Sequence, residues 1–323
     1  MTEVHLVRVA QVAPFWTTLQ RMGAPVRVLG RESGLPVDAV RMGRGVMGEY
    51  SLWRFLDYAA ERTGKELLGY ECDKSHPITR DVLSRCSPRV QTLEDLLTEF
   101  IGEVPAESTG SYYRFERSDT GVWLRRDPIF SGPRASWQME QFFLASFFRV
   151  IRTCTGPNWL PPAITVSARA SPVAVPAEWK NIDIEWGHSL TSIFIPTSDL
   201  ESRPLSPPGQ SESPPARSRR PTFPELVARQ VRWADVGLEK AADETGLTVI
   251  TLQRWLRQQN TSYSKLVEIA RSKRAQVLLR KTDRTIAAIA QDLGYRHQSN
   301  FTRAFERMVG VSPSAFRNLS RDS

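Results

Sequence analysis

AADETGLTVITLQRWL (241–256) recurs later in the chain, with one extra residue in its turn, as IAQDLGYRHQSNFTRAF (289–305). In each copy an alanine stands four residues before a glycine, Gly246 or Gly294. The small alanine lets two helices cross closely, and a glycine adopts the left-handed turn between them without strain. Each copy is therefore predicted to form a helix-turn-helix, whose second helix can enter the major groove of DNA.

An apolar pair at helical spacing anchors the second helix of each copy: Leu252 with Leu256, and Phe301 with Phe305. Such a pair packs against the preceding helix and leaves the opposite face free. Between the copies lies YSKLVEIARSKRAQVLLRK (263–281), an amphipathic segment long enough to hold two units at a fixed separation. One copy alone would be an ordinary helical hairpin, whereas two copies joined in this way favour DNA binding.

The predicted free faces carry polar side chains suited to base edges and phosphates. Arginine and glutamine can form paired hydrogen bonds with guanine and adenine, which sequence readout requires. The candidates are Thr248, Thr251, Gln253, Arg254 and Arg257 in the first helix, and His297, Gln298, Ser299, Asn300, Thr302, Arg303 and Arg307 in the second. For each arginine the alternative is a phosphate contact or a solvated surface charge.

The charge distribution agrees with a polyanion partner. The chain has 323 residues and a net charge of +8. From Arg217 to the end there are 20 Lys and Arg against 10 Asp and Glu, so this part carries +10 and the preceding 216 residues carry −2. A compact basic segment attached to a larger, nearly neutral one is typical of a nucleic-acid-binding module, although a basic surface can also serve only solubility.

The segment IAAIAQDLGYRHQSNFTRAFERMVGVSPSAFR (286–317) resembles the signature of AraC-type transcriptional regulators, and the resemblance extends from about residue 222 to the end. It contains an IA pair, a glycine-aromatic turn, a serine before an FxRxF-like core, and a closing GxSPxxFR. Asn260 departs from the glycine that is usual there, but asparagine tolerates a left-handed conformation. Ile250 occupies a recognition-helix position that is aromatic or polar in some members.

The resemblance implies that one protomer places its two recognition helices in successive major grooves on one face of DNA. By carry-over, Ile250 and Arg254 would be the readers of the first helix, with Ser299 and Arg303 those of the second. Ile250 would contact a thymine methyl or only pack. The basic residues of the connecting helix are instead expected to be solvated or structural; they are Arg271, Lys273 and Arg274.

A linker is predicted at 201–221, ESRPLSPPGQSESPPARSRRP, which has six prolines, five serines and almost no apolar residues. Such a composition cannot bury enough surface to fold. The predicted domains are therefore an N-terminal domain over 1–200 and an all-helical DNA-binding domain over 222–323. In the latter, Thr222 and Glu225 have capping-box spacing with Pro224 in the first turn, and Ser312 precedes a first-turn proline.

The N-terminal 200 residues are predicted to be an α+β domain. Helical periodicity covers 51–63 and 93–101, and 137–156 reads as a long helix closed by glycine. A hairpin is predicted around Ser118 to Gly121, and later strands at 163–170, 181–187 and 192–196. With Thr155-Gly156, Pro161-Pro162 and IPTSDLESRPL (195–205), this order resembles the effector-sensing domain of long AraC-type regulators. That resemblance implies effector response and self-association, without identifying the effector.

The sequence predicts no enzyme, metal or cofactor. One alternative is a DNA-repair alkyltransferase, but neither Cys72 nor Cys86 has the Pro-Cys-His-Arg-like context that activates a thiol, and His76 is expected to be a surface residue. A second alternative is an architectural protein that binds DNA without sequence preference, which would leave the N-terminal domain unexplained. Five aromatic residues of that domain are expected to pack in its core rather than to line a pocket: Trp53, Tyr58, Tyr112, Trp123 and Phe142.

The partners and the compartment follow from these features. Three widely spaced cysteines argue against a disulfide framework, and the most apolar stretch, FFLASFF (142–148), is far shorter than the ~20 residues that span a membrane. A soluble, cytoplasmic protein without membrane association is expected. Its predicted partners are double-stranded DNA, a small-molecule effector, a second copy in a homodimer and, if it activates transcription, RNA polymerase.

Overall fold

The structure is a computed structural model that describes residues 5–43, 45–75, 79–126, 137–169, 174–205, 223, 226 and 237–321. The chain divides into two compact units, one over His5–Arg220 and the other over Pro221–Ser323. The first unit combines helices with two sheets, and the described part of the second is helical. The predicted α+β and all-α classes are thus confirmed.

The first unit contains nine described helices and seven strands. The helices are α1 (Ala13–Arg21), α2 (Val26–Glu32), α3 (Val37–Met42), α4 (Glu49–Thr63), α5 (Leu68–Ser75), α6 (Thr79–Leu83), α7 (Leu93–Glu103), α8 (Trp137–Thr155) and α9 (Thr197–Leu200). The strands are β1 (Leu6–Arg8), β2 (Val46–Gly48), β3 (Tyr113–Arg117), β4 (Gly121–Arg126), β5 (Ala163–Val166), β6 (Asp183–Trp186) and β7 (Thr191–Pro196).

The larger sheet has the strand order β3-β4-β7-β5-β6. Its predicted hairpin is confirmed, because β3 and β4 pair antiparallel and the Ser118 N–H donates to the Gly121 carbonyl at 2.8 Å. The last strand, β7, inserts between β4 and β5, and β5 pairs parallel with β6. The predicted strands at 163–170 and 181–187 are shorter in the structure. The smaller sheet, β1 with β2, was not predicted.

Helix α8 lies at the centre of the first unit. Its apolar side chains pack with α7 and the inner face of the large sheet, while Met139 and Phe142 belong to the neighbouring core formed with α1, α2, α4 and α5. Gly156, with φ of +100°, ends the helix where it was predicted to end. Helix α7 begins with a capping box in which Thr92 and Asp95 each accept the other's backbone N–H.

The second unit contains six described helices. They are α10 (Leu238–Thr245), α11 (Val249–Gln258), α12 (Tyr263–Lys281), α13 (Ile286–Asp292), α14 (Gln298–Val309) and α15 (Pro313–Arg321). The predicted cap at Ser312 is present, since its Oγ accepts the Ala315 N–H at 3.2 Å. Of the helix predicted to begin at Thr222, only Phe223 and Leu226 are described, and both are helical.

The segment predicted as a linker is described only at its start. The Ser202 carbonyl accepts the Leu93 N–H at 2.8 Å, and the Leu205 N–H donates to the Thr153 carbonyl at 2.9 Å. Residues 202 and 205 are therefore attached to the first unit. Residues 206–221 lie outside the described part of the chain.

Candidate nucleic-acid interface

The first copy of the repeat forms two helices, α10 and α11, joined by a left-handed glycine. Gly246 has φ of +64°, and the Leu247 N–H donates to the Ala242 carbonyl at 3.0 Å, which closes the end of α10. Thr248 then caps α11, because its Oγ1 accepts the Thr251 N–H at 3.2 Å. The local sequence thus supplies both the stop of one helix and the start of the next.

The second copy repeats this geometry in α13 and α14. Gly294 has φ of +74°, and the Tyr295 N–H donates to the Ala290 carbonyl at 2.9 Å, the counterpart of the bond in the first copy. The anchors Phe301 and Phe305 are buried with ring centroids 5.7 Å apart. The two copies thus share the hydrogen bond that closes the first helix, whereas α14, unlike α11, begins without a side-chain cap.

Helix α12 supports the second copy directly. Its Ala275 and Leu279 are buried in one core with Ile289, Phe301 and Phe305. The turn that leads into α12 contains Asn260, which has φ of +52° and so adopts the left-handed conformation that the sequence suggested. Ser262 caps α12 by accepting the Lys265 N–H at 3.2 Å.

The candidate residues of α11 differ in how far they reach solvent. Ile250 is 75% exposed, which is unusual for an isoleucine and means that its side chain does not pack within the described residues. Arg257 is also exposed, whereas Thr251 and Arg254 are half-buried. The Arg254 Nε is buried without a hydrogen-bond partner. Of the two proposed readers, Ile250 projects freely and Arg254 lies closer to the protein surface.

Helix α14 presents a more polar and more open face. Gln298, Ser299, Asn300 and Arg303 are exposed, and Thr302 is half-buried. The Arg303 Nη2 donates to the Asn300 Oδ1 at 2.8 Å, an interaction one helical turn long that orients the guanidinium along the face. Exposed amide, hydroxyl and guanidinium groups in this arrangement can donate to and accept from base edges.

Several charged residues of the second unit instead hold its helices together. Arg307 forms an ion pair with Glu268 of α12. The Arg271 guanidinium lies 5.2 Å from the centre of the Tyr295 ring, which supports the structural role expected for it. Arg317, of the closing FR pair, donates to the Arg284 carbonyl at 2.6 Å, a role not foreseen from the sequence. The FR pair at the end of the signature was the sequence feature that could have indicated this role.

The comparisons with known proteins agree with this architecture. Residues 241–319 match the family described as Helix-turn-helix domain. The regulatory protein SoxS of Salmonella typhimurium is 32% identical over 103 residues, which are 29% of this chain and 94% of SoxS. The chain belongs to the AraC-type transcriptional regulators. The resemblance stated from the 286–317 signature is confirmed.

Other similarities to this AraC-type chain are partial or distant. An uncharacterized HTH-type transcriptional regulator of Mycobacterium tuberculosis is 39% identical over 94 residues, 28% of this chain and 27% of that protein, so the match spans little more than a quarter of the relative's length. The crystal structure of the transcriptional regulator CdpR from Pseudomonas aeruginosa aligns over 96% of this chain and 98% of its own, with 17% identity and a TM-score of 0.42.

The cysteines lack the environment of nucleophiles. All three are buried, and burial raises the pKa of Cys72 to about 12 and that of Cys86 to about 11. A reactive cysteine needs the opposite shift, because the thiolate is the attacking species. His76 lies outside the described residues. Within the described helices, none is both long and apolar enough to cross a membrane.

The five aromatic residues of the first unit do not share one role. The Trp123 ring packs at 5.1 Å from Phe194, Tyr58 donates to Glu32 at 2.6 Å, and Tyr112 is half exposed. Trp53 is buried against a buried arginine, and Phe142 lines a cavity inside the unit. The expectation of core packing is therefore wrong for Tyr112, whereas the Phe142 ring packs at 4.7 Å from that of Phe15 and also borders the cavity.

Proposed function

We propose that this chain is a sequence-specific DNA-binding transcriptional regulator that reads two successive major grooves with α11 and α14. The observation that carries the proposal is the repeated unit: two helices that follow left-handed glycines with equivalent hydrogen bonds, each with an exposed face. Helix α12 between them has 19 residues and is therefore about 28 Å long. Successive major grooves on one face of DNA are about 34 Å apart, a comparable distance.

The composition of the two exposed faces supports a different mode of base contact for each helix. On α11 the exposed Ile250 is suited to a thymine methyl, with Arg254 and Arg257 beside it. On α14 the exposed Ser299 and Arg303 are suited to hydrogen bonding. The +10 charge from Arg217 to the end supports a favourable, salt-dependent attraction to phosphates.

The test is selection of bound duplexes from a randomised library with the full-length protein. We expect two enriched blocks centred about one helical turn, 10 to 10.5 base pairs, apart. Arg303→Ala should abolish enrichment in one block only, and Lys273→Ala, on the exposed side of the connecting helix, should leave both blocks intact. Absence of any enrichment, with tight binding to all duplexes, would contradict the proposal and favour the architectural alternative.

We propose further that the first unit senses a small molecule and pairs two protomers. It is nearly neutral, it contains a cavity, and it is far larger than DNA binding by the second unit requires. Pairing two DNA-binding units raises their effective concentration at tandem sites. Sedimentation of the full-length chain should show a dimer. A strictly monomeric chain at tens of micromolar, or promoter output equal to that of the 217–323 fragment under all conditions, would contradict these roles.

A further inference from the structure

The first unit contains a cavity of about 110 Å³ between its two apolar cores. The walls from α4 and α8 and their neighbours are largely aromatic and aliphatic, and include Leu52, Phe100, Phe143 and Phe147. The lining also has polar side chains, and among them Arg126, at the end of strand β4, contributes a guanidinium. Apolar walls with a few polar groups are the usual composition of a small-molecule site.

Arg126 is unusual because it is only 6% exposed, and among the described residues no carboxylate forms an ion pair with it. Its Cζ lies 4.7 Å from the centre of the Trp53 ring and 5.6 Å from that of Phe143, and the two rings limit its movement. The Tyr113 hydroxyl is within hydrogen-bonding reach, while the Nε is buried without a partner. A buried charge in this condition is costly, so an anion would bind it favourably.

The nearby carboxylates are occupied by other donors. Glu140 accepts the N–H groups of Ser167 and Ala168, both at 3.1 Å, and the Thr191 hydroxyl at 2.7 Å. The Glu49 Oε2 accepts the Ser108 hydroxyl at 2.7 Å. Burial raises the pKa of both carboxyls, against the opposing effect of the Arg126 charge.

The remaining carboxylate of the lining, Glu107, has its own cations. Its oxygens lie 3.1 Å from an Arg85 nitrogen and 3.6 Å from the Arg8 Nε, and Gln11 donates to it at 3.0 Å. A ligand ammonium group would have to compete with these partners. The guanidinium of Arg126 is therefore the charged group of the lining that is available to a ligand. Its forked arrangement of N–H donors suits a carboxylate.

We propose that this cavity binds a small monocarboxylic acid, with the carboxylate on Arg126 and an apolar body of one short branched chain among the phenylalanines. The size limit comes from the volume: an apolar cavity of about 150 Å³ holds benzene, so one of about 110 Å³ takes a smaller apolar body. The proposal rests on the sensing role proposed for the first unit and specifies the chemical class sensed.

The test is calorimetric titration of the full-length protein, without DNA, with 2-methylpropanoate and 3-methylbutanoate and with their neutral amides. The acids should bind about tenfold or more tightly than the amides, because hydrogen bonds to a charged group contribute roughly 1.5–3 kcal/mol. Arg126→Met should remove that preference. Arg125→Met is the matched control: Arg125 is adjacent on β4 and pairs with Glu116, so this variant should bind like the wild type.

Several results would overturn the proposal. These are equal affinity for acids and amides, no binding of either acid at millimolar concentration, or equal loss in the Arg125 and Arg126 variants. If Arg126→Met does not fold by circular dichroism, Leu52→Phe fills the cavity while keeping the arginine, and undiminished 3-methylbutanoate binding by that folded variant would also overturn it. Acid binding that leaves DNA affinity and promoter output unchanged would support the site and contradict only the sensing role.

Discussion

The two units place their charged side chains differently. In the described part of the first unit several ionisable side chains are buried: His5, Glu49, Asp73, Glu107, Arg126 and Glu140. In the described part of the second unit the buried polar side chains are the uncharged Thr245 and Ser272. One unit therefore keeps charge in its interior, and the other keeps it on the surface.

This difference agrees with two kinds of recognition. Burial of an ion costs several kcal/mol unless it is paired, as Asp73 is with Arg149; an interior charge without an ion pair, such as that of Arg126, is suited to recognising a ligand of opposite charge. Surface charges cost little and remain available to a large polyanion such as DNA. The comparison predicts that the second unit is held mainly by its apolar core, and that the first depends also on its buried polar network.

The largest effect is expected from Phe305→Ala in the core of the second unit. The Phe305 ring centre lies 5.5 Å from that of Phe316, and the side chain is buried with α12 and α13. Removing it should lower the free energy of unfolding of this unit by about 3–5 kcal/mol and abolish DNA binding by α14. Denaturant titration followed by circular dichroism measures the loss of stability. The control is Met308→Ala, one turn away on the exposed side of the helix. A loss below about 1 kcal/mol would contradict the proposed core.

A somewhat smaller effect is expected from Glu140→Ala in the first unit. The variant leaves two backbone N–H groups and the Thr191 hydroxyl buried without their acceptor, which should cost about 3 kcal/mol. Thermal unfolding of the full-length protein should show destabilisation of the first unit only. Asp292→Ala, which breaks an exposed pair with Arg284 in the second unit, should leave the midpoint nearly unchanged. Equal shifts in the two variants would remove the distinction between the units.

The second unit was predictable from sequence because its determinants are local. After each left-handed glycine, Gly246 or Gly294, the next residue donates its N–H to an alanine carbonyl five residues earlier and so closes the helix. Threonine or serine caps begin α11, α12 and α13. Such short-range features can be recognised in a single sequence. The alternating pattern of the β3-β4 hairpin was recognisable for the same reason.

The interior of the first unit was not predictable, because it depends on contacts distant in sequence. Strand β7 pairs with β4 across about 70 residues, and this pairing brings Thr191 to Glu140. In the sequence, Glu140 is a lone acid within the apolar stretch WQMEQFFLASFF, and Arg126 is one of two arginines that end a hairpin. Neither pattern indicates a role for the residue. Strand register decides which of Arg125 and Arg126 faces inward. A slip of one residue would exchange their two positions.

The two helix-turn-helix units should respond separately to loss of their readers. Arg254→Ala and Arg303→Ala should each weaken specific DNA binding by roughly 1–3 kcal/mol and relax base preference in different halves of the site. Neither change removes a core side chain, so the unfolding midpoints should stay close to that of the wild type. Competition binding to wild-type and half-mutated duplexes measures the effect. Uniform weakening across all sequences would identify the arginines as phosphate contacts.

The smallest effect is expected at the ion pair between Glu268 and Arg307, both on the surface of the second unit. The pair joins α12 to α14, but Arg307 is largely exposed, so Glu268→Gln should change the free energy of unfolding by less than about 1 kcal/mol. If Arg307 contacts a DNA phosphate, the substitution removes a carboxylate that competes for its guanidinium. Affinity for DNA should therefore rise slightly, and its dependence on salt should become steeper by about one phosphate contact.

Arg307→Ala separates the two roles that the residue can have. If Arg307 contacts phosphate once released, the double variant should have the salt dependence of Arg307→Ala alone, because the gain from Glu268→Gln needs the guanidinium. Titrations of one duplex at several salt concentrations give the slopes for all four proteins. Equal slopes of affinity against salt concentration in all four proteins would mean that Arg307 only holds α14 against α12. Arg307 would then no longer be proposed as a DNA-binding residue, whereas the proposal for Arg303 would stand.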